Sequence, residues 1–323
     1  MIAVTGGAGF IGSAVIHALN QRGMDDILAV DHLGTSSKWK NLRGLAFADY
    51  REKDDFISQV RSGALPEIEA IIHMGACSST TEADATYLVR NNFQFTKDLA
   101  LYCADKGIRF IYASSAATYG DGLKGFCDDE SLLEELMPLN MYGYSKQMFD
   151  LWAKRMGLLS TIAGLKFFNV YGPNEYHKAD MRSFVHKGFQ QIMAAGRLRL
   201  FKSHNPEYKD GCQKRDFIYV KDAVRAVLFF LDNQDVSGIF NVGAGNARTW
   251  LDLANAIFTA LEMEPAIDFI DMPEILKDKY QYFTQADITK LKKAGFMNEP
   301  TSFEEAVRDY VQGYLVRDAH LSS

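Results

Sequence analysis

The sequence is poor in the features that mark membrane, secreted and nucleic-acid-binding proteins. No apolar run approaches the roughly 20 residues of a membrane-spanning helix, and no basic stretch precedes a long apolar one as in a secretory signal. The net charge of −6 excludes general binding to nucleic acids or anionic membranes, because both repel an acidic protein. The four cysteines are scattered, without CxxC or Cys/His metal-ligand spacing. We therefore expect a cytoplasmic protein with reduced thiols, no metal, and neither membrane nor nucleic acid as partner.

The first half of the chain alternates short apolar runs with longer stretches of helical periodicity. Hydrophobic residues make up 47 % of the 323 residues, enough for a main domain and a smaller one. The predicted strands are residues 2–5, 27–31, 70–74, 109–115 and 161–168, and the predicted helices are residues 10–22, 54–62, 87–106 and 143–156. Repeated strand–helix–strand units predict an α/β fold with a doubly wound parallel Rossmann sheet.

The pattern changes at about residue 169. A loop-rich stretch follows, strand patterns return only at 216–220 and 239–242, and the clearest later helices are 249–261 and 302–314. We predict a dinucleotide-binding Rossmann domain, residues 1–168, to which 215–243 return. The remaining segments, 169–214 and 244–323, form a smaller mixed substrate-binding domain, with the ligand cleft between the two.

Three glycines join the first strand to the first helix. Gly6, Gly9 and Gly12 are spaced GxxGxxG, the variant of the dinucleotide-binding turn that short-chain dehydrogenases use. Such glycines allow a tight turn and close approach of the backbone to a pyrophosphate, whose charge the free amides of the helix start attract. The loop predicts a nicotinamide dinucleotide as cofactor.

The choice between NAD and NADP is left open by three residues. Asp31 ends the second predicted strand, where a carboxylate accepts hydrogen bonds from the adenosine ribose and repels a 2′-phosphate, which favours NAD. Lys38 and Lys53 lie downstream and could neutralise such a phosphate, or they could be solvated surface lysines.

A Tyr-x-x-x-Lys motif begins the helix at 143–156. Tyr142 and Lys146 are four residues apart, so the phenol and the ammonium share one helical face. A phenol titrates near ~10 and is a poor base at neutral pH, but a neighbouring cation favours phenolate. Ser115, at the end of a central strand, could hydrogen-bond the reacting oxygen, and its neighbour Ser114 is the weaker candidate. The three residues predict proton abstraction from a hydroxyl coupled to hydride transfer.

With these pieces assembled, the sequence resembles the extended short-chain dehydrogenase/reductase family. Residues 167–173 (FFNVYGP) and 215–220 (RDFIYV) are similar to segments of nucleotide-sugar epimerases and dehydratases. Residues 75–82 (GACSSTTE), 175–178 (EYHK) and 280–287 (YQYFTQAD) resemble the ADP-heptose 6-epimerases within that family.

That resemblance implies inversion of C6 of ADP-D-glycero-D-manno-heptose for the lipopolysaccharide core, with a tightly bound NADP. It also implies a homo-oligomer, a pentamer in that family. Implied cofactor contacts, besides Gly6, Gly9, Gly12, Asp31, Lys38, Lys53 and Lys146, are Phe10, Ile11, His32, Met74, Gly75, Ala76, Cys77, Ser78, Asn91, Val170 and Lys178. Implied substrate contacts are Ser115, Asn169, Asp180, Lys187, Phe201, Lys202, Ser203, Arg215 and Tyr280. At Asp180 the sequence departs from the family, which has a small hydroxyl residue there.

The resemblance places a second catalytic base at Lys178. Inversion requires the C6 ketone to present its other face before hydride returns, so its oxygen then needs a different proton donor. Tyr142 would serve one orientation and Lys178 the other, provided that burial or a nearby cation lowers the lysine pKa. Lys178 could instead bind the diphosphate or lie at the surface.

Other activities are weighed against particular residues. A 4,6-dehydratase needs an Asp-Glu pair after the strand-end hydroxyl, where this chain has Ala116 and Ala117, so we reject it. A UDP-hexose 4-epimerase shares Tyr142 and Lys146 but has no need for Lys178. A redox sensor that binds NADP without turnover would not need the catalytic set. Arg215 could grip a diphosphate or pair with Asp216 or Asp222.

Overall fold

A computed structural model describes residues 1–277 and 280–322. The strands are β1 (Ile2–Thr5), β2 (Ile27–Asp31), β3 (Asp49–Glu52), β4 (Ala70–His73), β5 (Arg109–Ser115), β6 (Ala163–Phe167), β7 (Asn169–Tyr171), β8 (Leu198–Phe201), β9 (Lys214–Tyr219), β10 (Gly238–Val242), β11 (Ala247–Thr249) and β12 (Ile267–Ile270). The α-helices are α1 (Phe10–Gln21), α2 (Lys53–Ser62), α3 (Ala85–Leu88), α4 (Phe95–Lys106), α5 (Met141–Arg155), α6 (Phe184–Ala195), α7 (Val220–Asp232), α8 (Trp250–Ala260), α9 (Glu274–Lys277), α10 (Thr289–Lys293) and α11 (Phe303–Arg308).

The central feature is a seven-stranded sheet of order β10-β6-β5-β4-β1-β2-β3 in which every pairing is parallel. Fully buried apolar side chains cover both faces: Phe56 of α2, Leu99 of α4 and Phe149 of α5 on one, Val15 of α1 and Val227 of α7 on the other. The predicted doubly wound Rossmann sheet is confirmed. Its order reverses between β1 and β4, and such a switch point opens a crevice at the carboxyl ends of the strands.

Two smaller sheets come from the later part of the chain. Strands β11, β9 and β7 form a mixed three-stranded sheet, and β12 pairs with β8 in parallel. Strand β10 joins the large sheet beside β6, whereas β9 lies in the three-stranded sheet. The sequence also predicts a smaller mixed region here, and the structure contains one.

The structure differs from the predicted elements at β3 and at residues 87–106. Strand β3 has no fully buried residue, so it lacks the apolar run by which we recognised the other strands of the sheet. The single predicted helix at 87–106 is divided by a π-helical turn, Val89–Gln94, between α3 and α4. The 302–314 helix likewise passes from α11 into a π-helical segment, Asp309–Leu315.

No helix within the described residues is both long enough and apolar enough to cross a membrane.

Candidate active site

The glycine loop leaves the amino end of α1 open to an anion. Gly9 caps the helix in an extended conformation without a side-chain cap, and the first turn holds no acidic residue. Gly6 has φ of 68°, and a Cβ there would lie 2.7 Å from the amide nitrogen of Gly75. A Cβ on Gly12 would overlap the Gly6 carbonyl oxygen. The backbone therefore forms a cradle that side chains would fill, and its free amides suit a pyrophosphate.

Asp31 lies at the end of β2 beside this loop. Its Oδ2 accepts a hydrogen bond of 2.9 Å from the Ala8 amide, and its Oδ1 lies 2.6 Å from Lys38 Nζ. Oδ1 also accepts a hydrogen bond from the His32 amide, and the His32 ring contacts Glu52 at 3.1 Å. Lys38 thus partly neutralises the carboxylate at the place predicted for the adenosine ribose.

Lys53 and Asn91 meet at the same edge of the sheet. Lys53 Nζ donates a hydrogen bond of 2.7 Å to Asn91 Oδ1, so α2 and the π-helical turn are joined by two residues expected to bind cofactor.

The loop after β4 carries five expected cofactor contacts, Met74, Gly75, Ala76, Cys77 and Ser78. The Met74 amide donates to the Thr5 carbonyl oxygen at 3.1 Å, which places the start of this loop against the end of β1. Two further expected cofactor contacts, Ile11 in the first turn of α1 and Val170 in β7, are half-buried.

Asn92, which the sequence analysis missed, holds this loop against α5. Its side chain accepts from the Cys77 amide at 2.9 Å and donates to the Cys77 carbonyl at 3.0 Å and to Ser145 Oγ at 2.9 Å. The π-helical turn contains this buried amide, and such turns are frequent at functional sites. The one signal in the sequence was the presence of Asn92, a polar residue, within the partly apolar run that predicts the helix at 87–106.

The Tyr-x-x-x-Lys motif occupies the first turns of α5, and Asn140 caps the helix by accepting from the Gly143 amide at 2.8 Å. The Tyr142 phenol shares a side-chain hydrogen bond with Ser115 at the end of β5. Lys146 Nζ donates a hydrogen bond of 2.7 Å to the Ala113 carbonyl oxygen of the same strand. The structure therefore brings all three predicted residues together.

Burial governs the protonation of this group. Burial raises the pKa of Tyr142, and the hydrogen bond to Ser115 acts against that rise. Burial lowers the pKa of Lys146 to about 8, while Asp150 and Cys77 act in the opposite direction. At neutral pH Lys146 therefore remains mostly an ammonium, the form that favours phenolate at Tyr142.

Lys178 lies beside the glycine loop, in the 3₁₀ segment Tyr176–Met181. Its Nζ is 5.2 Å from the centre of the Phe10 ring, at the start of α1. Burial lowers the pKa of Lys178, with Glu175 opposing the shift. The structure thus places Lys178 against the glycine loop rather than at the open surface.

Asn41 fixes the Lys178 segment to that loop and was also missed in the sequence. Its side chain donates hydrogen bonds of 3.0 Å to the carbonyl oxygens of Ala8 and Asn174. It lies in the same 3₁₀ segment, Ser37–Leu42, as Lys38. One buried amide therefore joins the glycine loop to the segment that carries Lys178.

A cavity of about 610 Å³ opens between α6, β8 and the start of α8. Three predicted substrate contacts, Lys187, Phe201 and Tyr280, line it together with Trp250 and Arg199. Aromatic side chains and basic groups in one cavity suit an aromatic, anionic ligand.

Arg215 is buried to 8 % exposure beside this cavity. Its guanidinium carbon lies 5.2 Å from the centre of the Tyr280 ring and 5.9 Å from that of Trp250. The alternative of an ion pair with a neighbouring aspartate is wrong. The Asp216 carboxylate accepts three backbone amides instead, and Asp222 pairs with Arg225.

The remaining expected substrate contacts lie outside the lining of the cavity. Asn169 on β7 and Asp180 beyond Lys178 are exposed. Lys202 pairs with Asp271 at 3.1 Å, and Ser203 Oγ donates to the Asn205 carbonyl at 2.8 Å. None of these contacts links the four side chains to Tyr142, Ser115 or Lys146.

Comparison with known proteins shows to which family the chain belongs. Residues 2–243 match the model of the NAD dependent epimerase/dehydratase family. The chain belongs to that family. This epimerase/dehydratase chain is 55 % identical to ADP-L-glycero-D-manno-heptose-6-epimerase of Nitratidesulfovibrio vulgaris, over 99 % of its own length and 100 % of the relative's. It is 50 % identical to the protein of that name from Fusobacterium nucleatum, covering 98 % and 99 % of the two chains.

Two solved structures have the same fold as this family member. ADP-L-glycero-D-manno-heptose-6-epimerase of Helicobacter pylori superposes with a TM-score of 0.81 at 26 % identity, over 97 % of this chain and 95 % of that one. UDP-glucose 4-epimerase of Thermotoga maritima gives a TM-score of 0.78 at 26 % identity, over 98 % and 99 %. The names of the relatives and the NAD dependent family to which the chain belongs support an epimerase that uses a nicotinamide cofactor.

Proposed function

We propose that this chain inverts C6 of ADP-D-glycero-D-manno-heptose by transient oxidation and re-reduction with resident NADP. The observation that carries the proposal is the hydrogen bond between Tyr142 and Ser115, with the buried Lys146 one helical turn along α5 and the half-buried Lys178 beside Phe10 of the glycine loop. The names of the relatives at 50 % and 55 % identity supply the substrate.

The first half-reaction requires a base at the C6 hydroxyl. Ser115 holds the hydroxyl oxygen against Tyr142, and the phenolate that Lys146 favours takes its proton. When bound, the dinucleotide supplies the hydride acceptor and returns the same hydride. Oxidation leaves a planar ketone at C6, and the face that receives the returning hydride sets the configuration.

The second half-reaction requires a different proton donor. Once the ketone has turned to present its other face, its oxygen points away from Tyr142, and Lys178 donates the proton as hydride returns. A lysine that donates and recovers protons near neutral pH needs a lowered pKa, and burial lowers that of Lys178.

The residues around the glycine loop fit a dinucleotide, because the uncapped start of α1 and the glycine cradle suit a pyrophosphate. We assign the adenosine 2′-phosphate of NADP to Lys38 and Lys53. Lys38 already contacts Asp31, so a phosphate arriving there meets a cation as well as the carboxylate. Asp31 by itself favours NAD, and the proposed NADP preference depends on these two lysines.

The substrate nucleotide fits the cavity beside Arg215. Tyr280 and Trp250 offer ring faces for adenine, and the buried guanidinium suits a bidentate grip on the diphosphate. Residues 169–214 and 244–323 then act as the substrate domain and 1–168 as the NADP domain, to which 215–243 return. We also expect a homo-oligomer, a pentamer as the family resemblance implies, and mass measurement in solution tests this.

Product analysis tests the proposal directly. The purified chain, with its resident cofactor, is incubated with ADP-D-glycero-D-manno-heptose, and NMR follows the configuration at C6. We expect an equilibrium mixture of the two C6 epimers, and no change in UDP-glucose at C4. Conversion of UDP-glucose alone would identify a 4-epimerase. Cofactor that stays oxidised and sugars that stay unchanged would favour a redox sensor.

A further inference from the structure

One ion pair lies in the core behind the active site, and no step of the proposed mechanism uses it. Lys166 Nζ of β6 lies 2.7 Å from Asp150 Oδ2 of α5, and both side chains are 0 % exposed. Within residues 1–277 and 280–322, no other ion pair has both side chains fully buried. Burying two charges costs desolvation free energy that apolar residues would not incur, so such a pair is weak evidence of a purely stabilising role.

Asp150 shares a face of α5 with the catalytic side chains. Tyr142, Lys146 and Asp150 follow at intervals of four residues, which align on one side of a helix. The first two reach Ser115 and the Ala113 carbonyl at the end of β5. Asp150, the third of them, contacts the same strand through Tyr112 and Ser114.

Asp150 of this pair accepts hydrogen bonds from side chains near the end of β5. The Asp150 carboxylate accepts hydrogen bonds from Tyr112 at 2.9 Å and Ser114 at 2.7 Å, which alternate along the strand with Ala113 and Ser115. Every one of these hydroxyls is buried. The predicted weaker candidate, Ser114, is thus directed away from the Tyr142 phenol.

Lys166 extends these contacts to the backbone of Ser115. Its Nζ donates to Thr118 Oγ1 at 2.6 Å, and the Thr118 hydroxyl donates to the Ser115 carbonyl oxygen at 2.8 Å. A continuous series of hydrogen bonds therefore runs from the helix that carries Tyr142 to the residue that hydrogen-bonds its phenol.

We propose that Asp150 and Lys166 are positioning residues, which set the Tyr142–Ser115 geometry by fixing α5 against the end of β5. This inference rests on the proposed function, since it concerns the same proton transfer. A displacement of about 1 Å at a reacting group can cost about a hundredfold in rate, so a support of this kind affects catalysis more than substrate binding.

The charge of Asp150 also acts on Lys146. The titratable groups that interact with Lys146 are Asp150 on its own helix, Cys77 after β4 and His73 of β4, and Tyr142 lies one helical turn before it. Asp150 raises the pKa of Lys146, against the stronger effect of burial, and Lys166 neutralises part of that charge. Loss of the carboxylate charge therefore lowers the pH above which Lys146 ceases to be a cation.

Two variants of the full-length, cofactor-loaded protein test the proposal. The double variant D150L/K166M replaces the pair by apolar groups, which buried sites often tolerate, whereas Asp150→Asn keeps an acceptor oxygen but removes the charge. For the double variant we expect kcat for the ADP-heptose to fall at least about tenfold with KM within about twofold. For Asp150→Asn we expect the alkaline limb of the kcat profile to move to lower pH.

The surface pair of Arg22 and Asp232, at 2.9 Å and half-exposed, provides the matched control R22M/D232L. That control should keep the wild-type kcat and pH profile. A folded D150L/K166M protein with wild-type kcat, or an Asp150→Asn limb at the wild-type pH, overturns the positioning role while the proposed function stands. Wild-type protein that fails to convert the ADP-heptose overturns both, because no proton transfer then remains to be positioned.

Discussion

Two sets of residues in the candidate active site are held in different ways. In the set on α5 and β5, polar groups end in hydrogen bonds to the protein itself, as Tyr142 does at Ser115 and Lys146 at the Ala113 carbonyl. By contrast, Lys178 at the glycine loop and Arg215 beside the cavity contact aromatic rings. Within the described part of the chain, no carboxylate oxygen lies at ion-pairing distance from either cation.

The difference follows from the proposed functions of the two sets of residues. A proton transfer at a fixed hydroxyl needs a rigid geometry, which internal hydrogen bonds provide before the ligand arrives. The diphosphate proposed to bind Arg215 needs positive charge that no internal carboxylate has neutralised. The proposed proton donor Lys178 needs an ammonium without a carboxylate partner, because an ion pair would raise its pKa.

Replacing the phenol should have the largest effect. Tyr142→Phe removes the proton acceptor while keeping the ring, so we expect epimerisation to slow by about 10²–10⁴-fold. Oxidation of one C6 epimer should be lost, measured as reduction of the bound cofactor when each epimer is added separately. Wild-type speed with both epimers would remove Tyr142 from the mechanism.

Lys178→Met should show the complementary defect. Because the second base serves the other orientation of the ketone, net epimerisation should also fall by about 10²–10⁴-fold, while oxidation of the epimer that Tyr142 handles survives. The same two cofactor-reduction assays apply, with Lys106→Met, at an exposed lysine that ends α4, as the control. If Lys178→Met raises KM and leaves kcat unchanged, the lysine binds the diphosphate instead.

Arg215 should contribute to binding rather than to the chemical step. Arg215→Met removes charged hydrogen bonds worth about 1.5–3 kcal/mol, so we expect KM for the ADP-sugar to rise about 10–100-fold at nearly unchanged kcat. Arg215→Lys should recover only part of the loss, because an ammonium lacks the planar fork. A loss confined to kcat would contradict the assignment.

Lys38 should decide the preference between the two dinucleotides. Lys38→Ala removes a cation from the proposed 2′-phosphate site and leaves Asp31 without its partner. We expect the affinity for NADP to fall about tenfold and that for NAD to change little, measured by fluorescence titration of cofactor-depleted protein. An equal loss for both dinucleotides would show that Lys38 only supports the loop.

The smallest effect concerns stability against acid. Burial, with a smaller effect of Lys146, lowers the pKa of His73 to about 3, so the folded protein keeps this ring neutral while the unfolded chain protonates it near its ordinary value. The contribution of His73 to the free energy of unfolding is complete above about pH 6.5, and it is lost as the pH falls toward the pKa of the folded state. The midpoint of thermal unfolding should therefore drop between about pH 7 and about pH 5, and less steeply in His73→Gln. An identical slope in the variant would contradict this.

Much of the sheet and of the reactive set could be predicted because the signals are local. Strands β1, β2 and β5 have the predicted bounds, since each is a short run of buried apolar residues that ends in a polar one. Gly6, Tyr142 and Lys146 belong to motifs in which the spacing along the chain fixes the spacing in space. For these features the amino-acid sequence was sufficient.

The contacts between distant polar groups could not be predicted from the sequence. Asn41 joins residues 8 and 174, Asn92 joins Cys77 to Ser145, and Lys166 meets an aspartate sixteen positions earlier across a strand and a helix. No periodicity relates such positions, because a buried polar group takes whichever partner the packing of separate elements brings within hydrogen-bond distance. Local sequence patterns account for the sheet and for the chemistry of the reactive groups, whereas the packing of separate elements accounts for how those groups are held and which cations stay available to a ligand.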